Sequence, residues 1–309
     1  MWDDKGHIYE WDTTNERNMT QIASISELNK NSQIVQIENQ DIISLDAELD
    51  IISVLHLQNR SNKVLLCRND GCCSEFGSER CYQSNSFDIH GINLNPQRKA
   101  SVYFSDKTAI KMFDITSSPI QPQVVVDFSD HLGTSGDIET FIFSNDYSII
   151  FLFWIATDDK EKFLYRYHVH NRTISGKIGM SVSLVQLSSL SDHIVLGLDK
   201  KNGQLIAVDF ESKSFYSLCK DTVATTFPGY SSTHSLPECT NRLDIVKFTQ
   251  NNDYIYTANK YDDIHIISNV KGLALFGAGS FLKEFKAWVN KYAKDRKSTR
   301  LNSSHTVIS

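Results

Sequence analysis

The sequence predicts an all-β protein of the β-propeller class, and three observations carry that prediction. Short β-branched or aromatic runs with period-two alternation recur along the chain, bounded by Asn, Asp, Gly and Ser, as half-buried strands and their turns are. Helical periodicity is nearly absent before residue 279. Groups of about three strands and a connection return roughly every 40 to 60 residues, as propeller blades do. A sandwich, the competing all-β architecture, would show strands of more equal polarity and no long repeat.

The repeat is clearest in its paired runs. Five segments alternate and often close on Asp: "GHIYEWD" (residues 6–12), "TAIKMFD" (108–114), "KFLYRYHV" (162–169), "GQLIAVDF" (203–210) and "DDIHIIS" (262–268). All but the first follow a more hydrophobic run, namely "ASVYFSD" (100–106), "YSIIFLFWIA" (147–156), "DHIVLGLD" (192–199) and "DYIYTAN" (253–259). One small twisted sheet cannot bury both faces alone, so such sheets stack and bury their faces against each other. The apolar runs are therefore expected to be inner strands covered on both faces. The runs closing on Asp are expected to be outer strands with one wet side.

On this pattern about five to six blades are recognisable, and the expectation is a fragment of a six- or seven-bladed ring. The chain opens on an outer strand that lacks inner partners, which predicts missing material before Met1. Residues 1–270 are thus expected to form an N-terminally incomplete propeller, followed by a linker and amphipathic helix over 271–294. Ser280 caps that helix, and Phe281, Phe285, Trp288 and Tyr292 recur at helical spacing. The helix is expected to pack on the propeller rim.

The last segment, "DRKSTRLNSSHTVIS" (295–309), carries Arg296, Lys297 and Arg300 but no apolar periodicity. Its first eleven residues can be written in codons that resemble a common sequencing-library adapter read in frame. It is expected to be an adapter-derived, disordered tail and not a nucleic-acid-binding arm.

Composition narrows the function classes. With 40% hydrophobic and 22% charged residues and 5 prolines in 309, the chain has the profile of a folded globule. A net charge of −6 argues against whole-surface capture of nucleic acid, which needs an excess of Lys and Arg. No run reaches the roughly 18 apolar residues of a membrane helix. The polar start "MWDDKGHIYEWD" shows no signal peptide, which points to the cytoplasm. Six cysteines, four of them clustered as Cys67, Cys72, Cys73 and Cys81, fit disulfides if the chain is extracellular and free thiols if it is not.

No pattern of catalytic residues emerges. Nucleophile elbow, Walker loop, zincin helix and dinucleotide fingerprint are all absent from the sequence. "GLALFGAGS" (272–280) has loop-like glycine spacing but no lysine to reach a phosphate, and reads as a joint before the helix. His168 and His170 in "RYHVH" fall on one face of a strand with no third ligand in sight. The acidic pairs Asp158–Asp159 and Asp262–Asp263 fall in turns, where Asp bonds its own backbone. The expectation is a non-enzyme with no catalytic residue, no metal site and no cofactor.

Two family resemblances follow from these residues. "GHIYEWD" ends in Trp11 and Asp12, and "TAIKMFD", "GQLIAVD" and "YDDIHIIS" look like degenerate versions, so residues 6–268 resemble WD-repeat propellers by blade pattern. That resemblance implies a protein–protein interaction scaffold binding its partners through rim loops or the central depression.

"VLHLQNRSNKVLLC" (54–67), with Cys81 downstream, is similar to the early part of the sema domains of semaphorins and plexins. This second resemblance implies an extracellular ligand-recognition propeller, a disulfide involving Cys67 and Cys81, and glycosylation at the acceptor sequences of Asn18, Asn59 and Asn171. An enzyme built on a propeller is the third alternative.

Overall fold

The computed structural model describes residues 33–218 except 37–40, 47, 57–60, 69–80, 85–86, 96–97, 118, 133–134, 159, 200 and 212, together with strand segments 7–11, 19–24, 226–228, 245–250, 254–259 and 264–268. Along the chain, two compact units divide between Glu139 and Thr140. Nearly everything described is strand or turn.

In the first unit, β1 (His7–Trp11) pairs with β2 (Met19–Ser24). Then β3 (Gln33–Gln36), β4 (Asp41–Asp46), β5 (Ile51–His56) and β6 (Ser61–Cys67) form an antiparallel meander, and β7 (Tyr82–Gln83) adds to β6 in parallel. A second meander follows from β8 (Ile89–Asn95), β9 (Arg98–Asp106), β10 (Ala109–Asp114) and β11 (Gln123–Asp127). It ends in one helical turn, α1 (Ser129–Leu132), started where Asp127 Oδ1 accepts the N–H of Ser129 at 2.9 Å.

The second unit repeats the plan. β12 (Gly136–Phe143), which begins in the last residues of the first unit, heads a sheet with β13 (Ile149–Ala156), β14 (Lys162–His168) and β15 (Thr173–Met180). β16 (Gln186–Ser189), β17 (Ile194–Asp199), β18 (Gln204–Asp209), β19 (Ser214–Leu218) and β20 (Thr226–Pro228) form the next. β21 (Ile245–Gln250), β22 (Tyr254–Asn259) and β23 (Ile264–Ser268) form the last described sheet. Each main sheet therefore keeps sequence order across its strands, which is the propeller-blade arrangement that the repeat predicts.

Stacked sheet faces supply the core. In the first unit Ile43, Leu45, Ile52 and Val54 of one meander meet Ile92, Val102, Phe104 and Phe113 of the next. In the second, Phe151, Phe153, Leu164 and Ile178 meet Val195, Ile206 and Val208. Each such side chain contributes about 1.5–3 kcal/mol when withdrawn from water. The apolar runs are indeed covered on both faces, since β17 is buried at every position and β13 at all but Ile155.

Three of the alternating runs are not the outer strands. β10, β14 and β18 are third strands, each flanked on its far side by β11, β15 or β19, and β18 is buried at every position. The strands beyond them, "QVVVD", "TISGKIGM" and "SFYSL", do not reach the hydrophobicity of the inner runs and carry no distinct repeat signal. The unit is thus four strands and not three. A further meander over residues 33–83, with "DIISLD" and "IISVLH" as its second and third strands, lies outside the paired runs of the repeat. The expected helix over 280–294 and the tail over 295–309 lie outside the described residues.

Candidate functional site

The strand-to-strand hairpins are the surfaces that the scaffold presents, and those joining second to third strands share one construction. A left-handed residue stands close before the third strand in each: Asp50 (φ 53°), Lys107 (φ 52°), Lys160 (φ 51°) and Gly203 (φ 61°). In three of the four, the second strand ends on an Asp, at positions 46, 106 and 199. Asp46 Oδ1 accepts the N–H groups of Glu48 at 3.0 Å and Leu49 at 3.2 Å. Asp199 Oδ2 accepts from the Asn202 side-chain amide at 2.6 Å. These carboxylates replace bonds that water would otherwise make to the turn, so the Asp46 and Asp199 hairpins are fixed from their base.

The seam between the two meanders of the first unit is the most heavily bonded part of this surface. Buried Asp50 accepts the backbone N–H of Ile89 on Oδ1 at 2.7 Å and the Arg68 guanidinium on Oδ2 at 2.8 Å. Asp106, also buried, accepts the N–H of Asp88 at 3.0 Å and an ion pair from Lys111, whose ammonium lies 5.3 Å from the Phe87 ring centroid. His90 Nε2 sits 3.1 Å from Asp88 Oδ1. Arg68, exposed beside the Asp50 carboxylate, has its pKa raised by that hydrogen bond and charge.

Gln33 completes the seam from the first strand. Its side-chain amide donates to the carbonyl of His90 at 2.7 Å and its oxygen accepts the N–H of Ile92 at 3.3 Å, so one side chain bonds like a short piece of strand. Sequence reasoning missed this. A lone Gln at a strand start carries no signal until the neighbouring sheet is in place.

The carboxylates of Asp50 and Asp106 are each consumed by a cation and a backbone N–H. At the tips, Leu49 is 51% exposed beside exposed Glu48, while Asp158, Lys160 and Glu161 are exposed on the hairpin after β13. No group of three or more metal-ligating side chains occurs among the described residues.

The histidine pair of the sequence is not brought together on a strand. β14 ends at His168, and His170 lies two residues on in the exposed hairpin turn, where the strand's alternation no longer applies. Asp158 falls in a turn as expected. Asp159, Asp262, Asp263 and the glycine-rich 272–280 segment lie outside the described residues.

Other Asp residues serve turns. Asp114 Oδ1 accepts the N–H of Thr116 at 2.7 Å and its hydroxyl at 2.6 Å, and Asp209 Oδ1 accepts the N–H of Glu211 at 2.9 Å. The closing Asp that suggested WD repeats is thus a local turn cap at these positions. Between β12 and β13, Asp146 gathers the hydroxyls of Ser144 and Ser148 and the Ser148 N–H, which hold its pKa below the usual carboxylate range. Asp127 is also held low: partial burial pushes it up, but hydrogen bonds from Ser129 and Thr108 together outweigh that.

Neither Cys67 nor Cys81 is a free thiol; both are disulfide-bonded. Their sulfurs lie 3.8 Å apart. Cys72, Cys73, Cys219 and Cys239 lie outside the described residues. Of the acceptor sequences, Asn171 is exposed in the turn between β14 and β15, whereas Asn18 and Asn59 lie outside the described residues.

No family model and no curated protein matches this chain. Among solved structures, a chain of the nidogen/laminin complex superposes with a TM-score of 0.50 at 9% identity, covering 86% of this chain and 87% of that one. A chain of the COPII outer coat vertex on membranes gives 0.46 at 9% identity, covering 86% of this chain and 79% of that one. Taken with the four- and five-stranded meanders of both units, the first of these likenesses establishes the fold as a β-propeller, and it reaches no further than the fold.

Proposed function

We propose that this chain is a non-catalytic interaction scaffold that binds other proteins through its hairpin loops. The observation that carries this reading is the construction of the hairpins: a left-handed residue before the third strand in all four, with Asp caps at the base of two, and doubly buried strands such as β17 beneath. Loops held in this way lose little freedom on binding, so more of the contact energy is retained as affinity.

Chemical crosslinking of the full chain in its source cells tests the proposal. A crosslink from Glu48 to another protein is expected, and Leu49→Asp should remove that protein while leaving the melting temperature unchanged. Crosslinks confined to other faces, or turnover of a substrate by the purified chain, would overturn it.

A second reading, an extracellular ligand-recognition propeller of the sema type, is favoured by one observation, the disulfide-bonded state of Cys67 and Cys81. Disulfides persist in oxidising compartments and are rare in the cytosol. This supports placing the scaffold outside the cytoplasm, against the plain reading of its N-terminus. Mass analysis after alkylation without reduction decides between the two: alkylated Cys67 and Cys81 in chain taken from its source cells would sink the extracellular reading.

A further inference from the structure

We infer that Asn171 is a modification site, the acceptor for an N-linked oligosaccharide on the hairpin between β14 and β15. The inference rests on the extracellular reading for its compartment, and on separate geometry for its site. Asn171-Arg172-Thr173 fits the acceptor pattern Asn-x-Ser/Thr, with a middle residue other than proline. Many such sequences arise by chance, and burial in a strand would disqualify most of them.

Here the placement favours modification. His168 on β14 pairs with Thr173 on β15, leaving residues 169–172 as the hairpin loop. Asn171, Arg172 and Thr173 are all exposed. Arg172 adopts φ 52°, so the chain reverses between the acceptor and its hydroxyl residue at the loop's tip.

The surroundings suit a large hydrated branch. β15 is the edge strand of its sheet, and its burial runs from exposed at Thr173, Ser175 and Lys177 to buried at Ile178, Gly179 and Met180. The acceptor stands at the exposed end of this gradient. A sugar there leaves every buried side chain of the sheet in place, and among the described residues no strand lies beyond β15 for it to displace.

The test directs the full chain through the secretory route of eukaryotic cells with an appended signal peptide and digests it with and without peptide-N-glycosidase. Enzyme-dependent conversion of Asn171 to Asp is expected in most of the secreted chain, absent in Asn171→Gln and Thr173→Ala, and kept in Thr173→Ser. Secreted chain with intact disulfides and an unmodified Asn171 would overturn the inference. Free thiols at Cys67 and Cys81 in chain from its own source cells, alongside modification of the directed chain, would refute the compartment reading while leaving the site standing.

Discussion

Gly197, in the middle of β17, offers the sharpest check on how the sheets of the second unit pack. A Cβ placed on Gly197 would stand 2.6 Å from Leu184 Cδ1, 3.0 Å from Cδ2 and 3.2 Å from Cγ. Carbon atoms rest at about 3.5–4.0 Å, so the leucine must give way by up to about an ångström. It cannot swing into water, because Leu184 is 0% exposed and belongs to the core with Val195 and Ile206. Gly197→Ala is therefore expected to cost about 1–3 kcal/mol by overpacking, and to lower the melting temperature by about 2–6 °C for a chain of this size. Leu184→Ala alone should cost about 3–5 kcal/mol by opening a cavity.

The double variant distinguishes this packing argument from general fragility. An Ala at 197 fills part of the space left by Leu184→Ala, so the two costs should fall short of additive by about 1–3 kcal/mol. Urea unfolding of the four proteins, followed by tryptophan fluorescence with Trp154 fully buried in the neighbouring sheet, measures the cycle. A Gly197→Ala variant as stable as the parent, or a cycle additive within about 0.5 kcal/mol, would refute the reasoning.

Asp50→Ala removes the acceptor of the buried Ile89 N–H and frees Arg68 to water; a loss of about 2–3 kcal/mol in urea unfolding is expected, with faster hydrogen exchange at Ile89. Asp146, whose pKa is depressed by the hydroxyl of Ser144 and the N–H and hydroxyl of Ser148, contributes stability that is present above the unfolded carboxylate value of about 3.9 and lost as pH falls through the folded one. Melting curves of Asp146→Asn should thus lie below the parent at pH 6 and converge with it near pH 2. Tyr165 is pushed up to about 12 by burial and by the nearby charge of Glu161. Because the unfolded phenol gives up its proton near pH 10, folding stability should fall as pH rises from about 10 to 12. Tyr165→Phe should flatten that alkaline slope.

What the sequence determined by itself was the class and the local chemistry of the chain. Continuous apolar runs such as "SIIFLFWIA" specify doubly covered strands because alternate side chains leave opposite faces, and both faces here are apolar. Asp in turns was legible for the same local reason, since Asp114, Asp146 and Asp209 bond groups two residues away.

Relations across sheets were decided by tertiary structure alone. A weakly patterned strand such as "QVVVD" becomes an outer strand only when β10 is there to pair with it. Gln33, Asp50 and Ile89 are separated by 17 and more residues, yet together they stitch two sheets. Likewise the pairing of His168 with Thr173 puts Asn171 at a loop tip, while His170 leaves the strand on which alternation had placed it. Local patterning encodes which face a residue shows, but the partner met by that face is fixed by long-range strand pairing, for which a single sequence carries no signal.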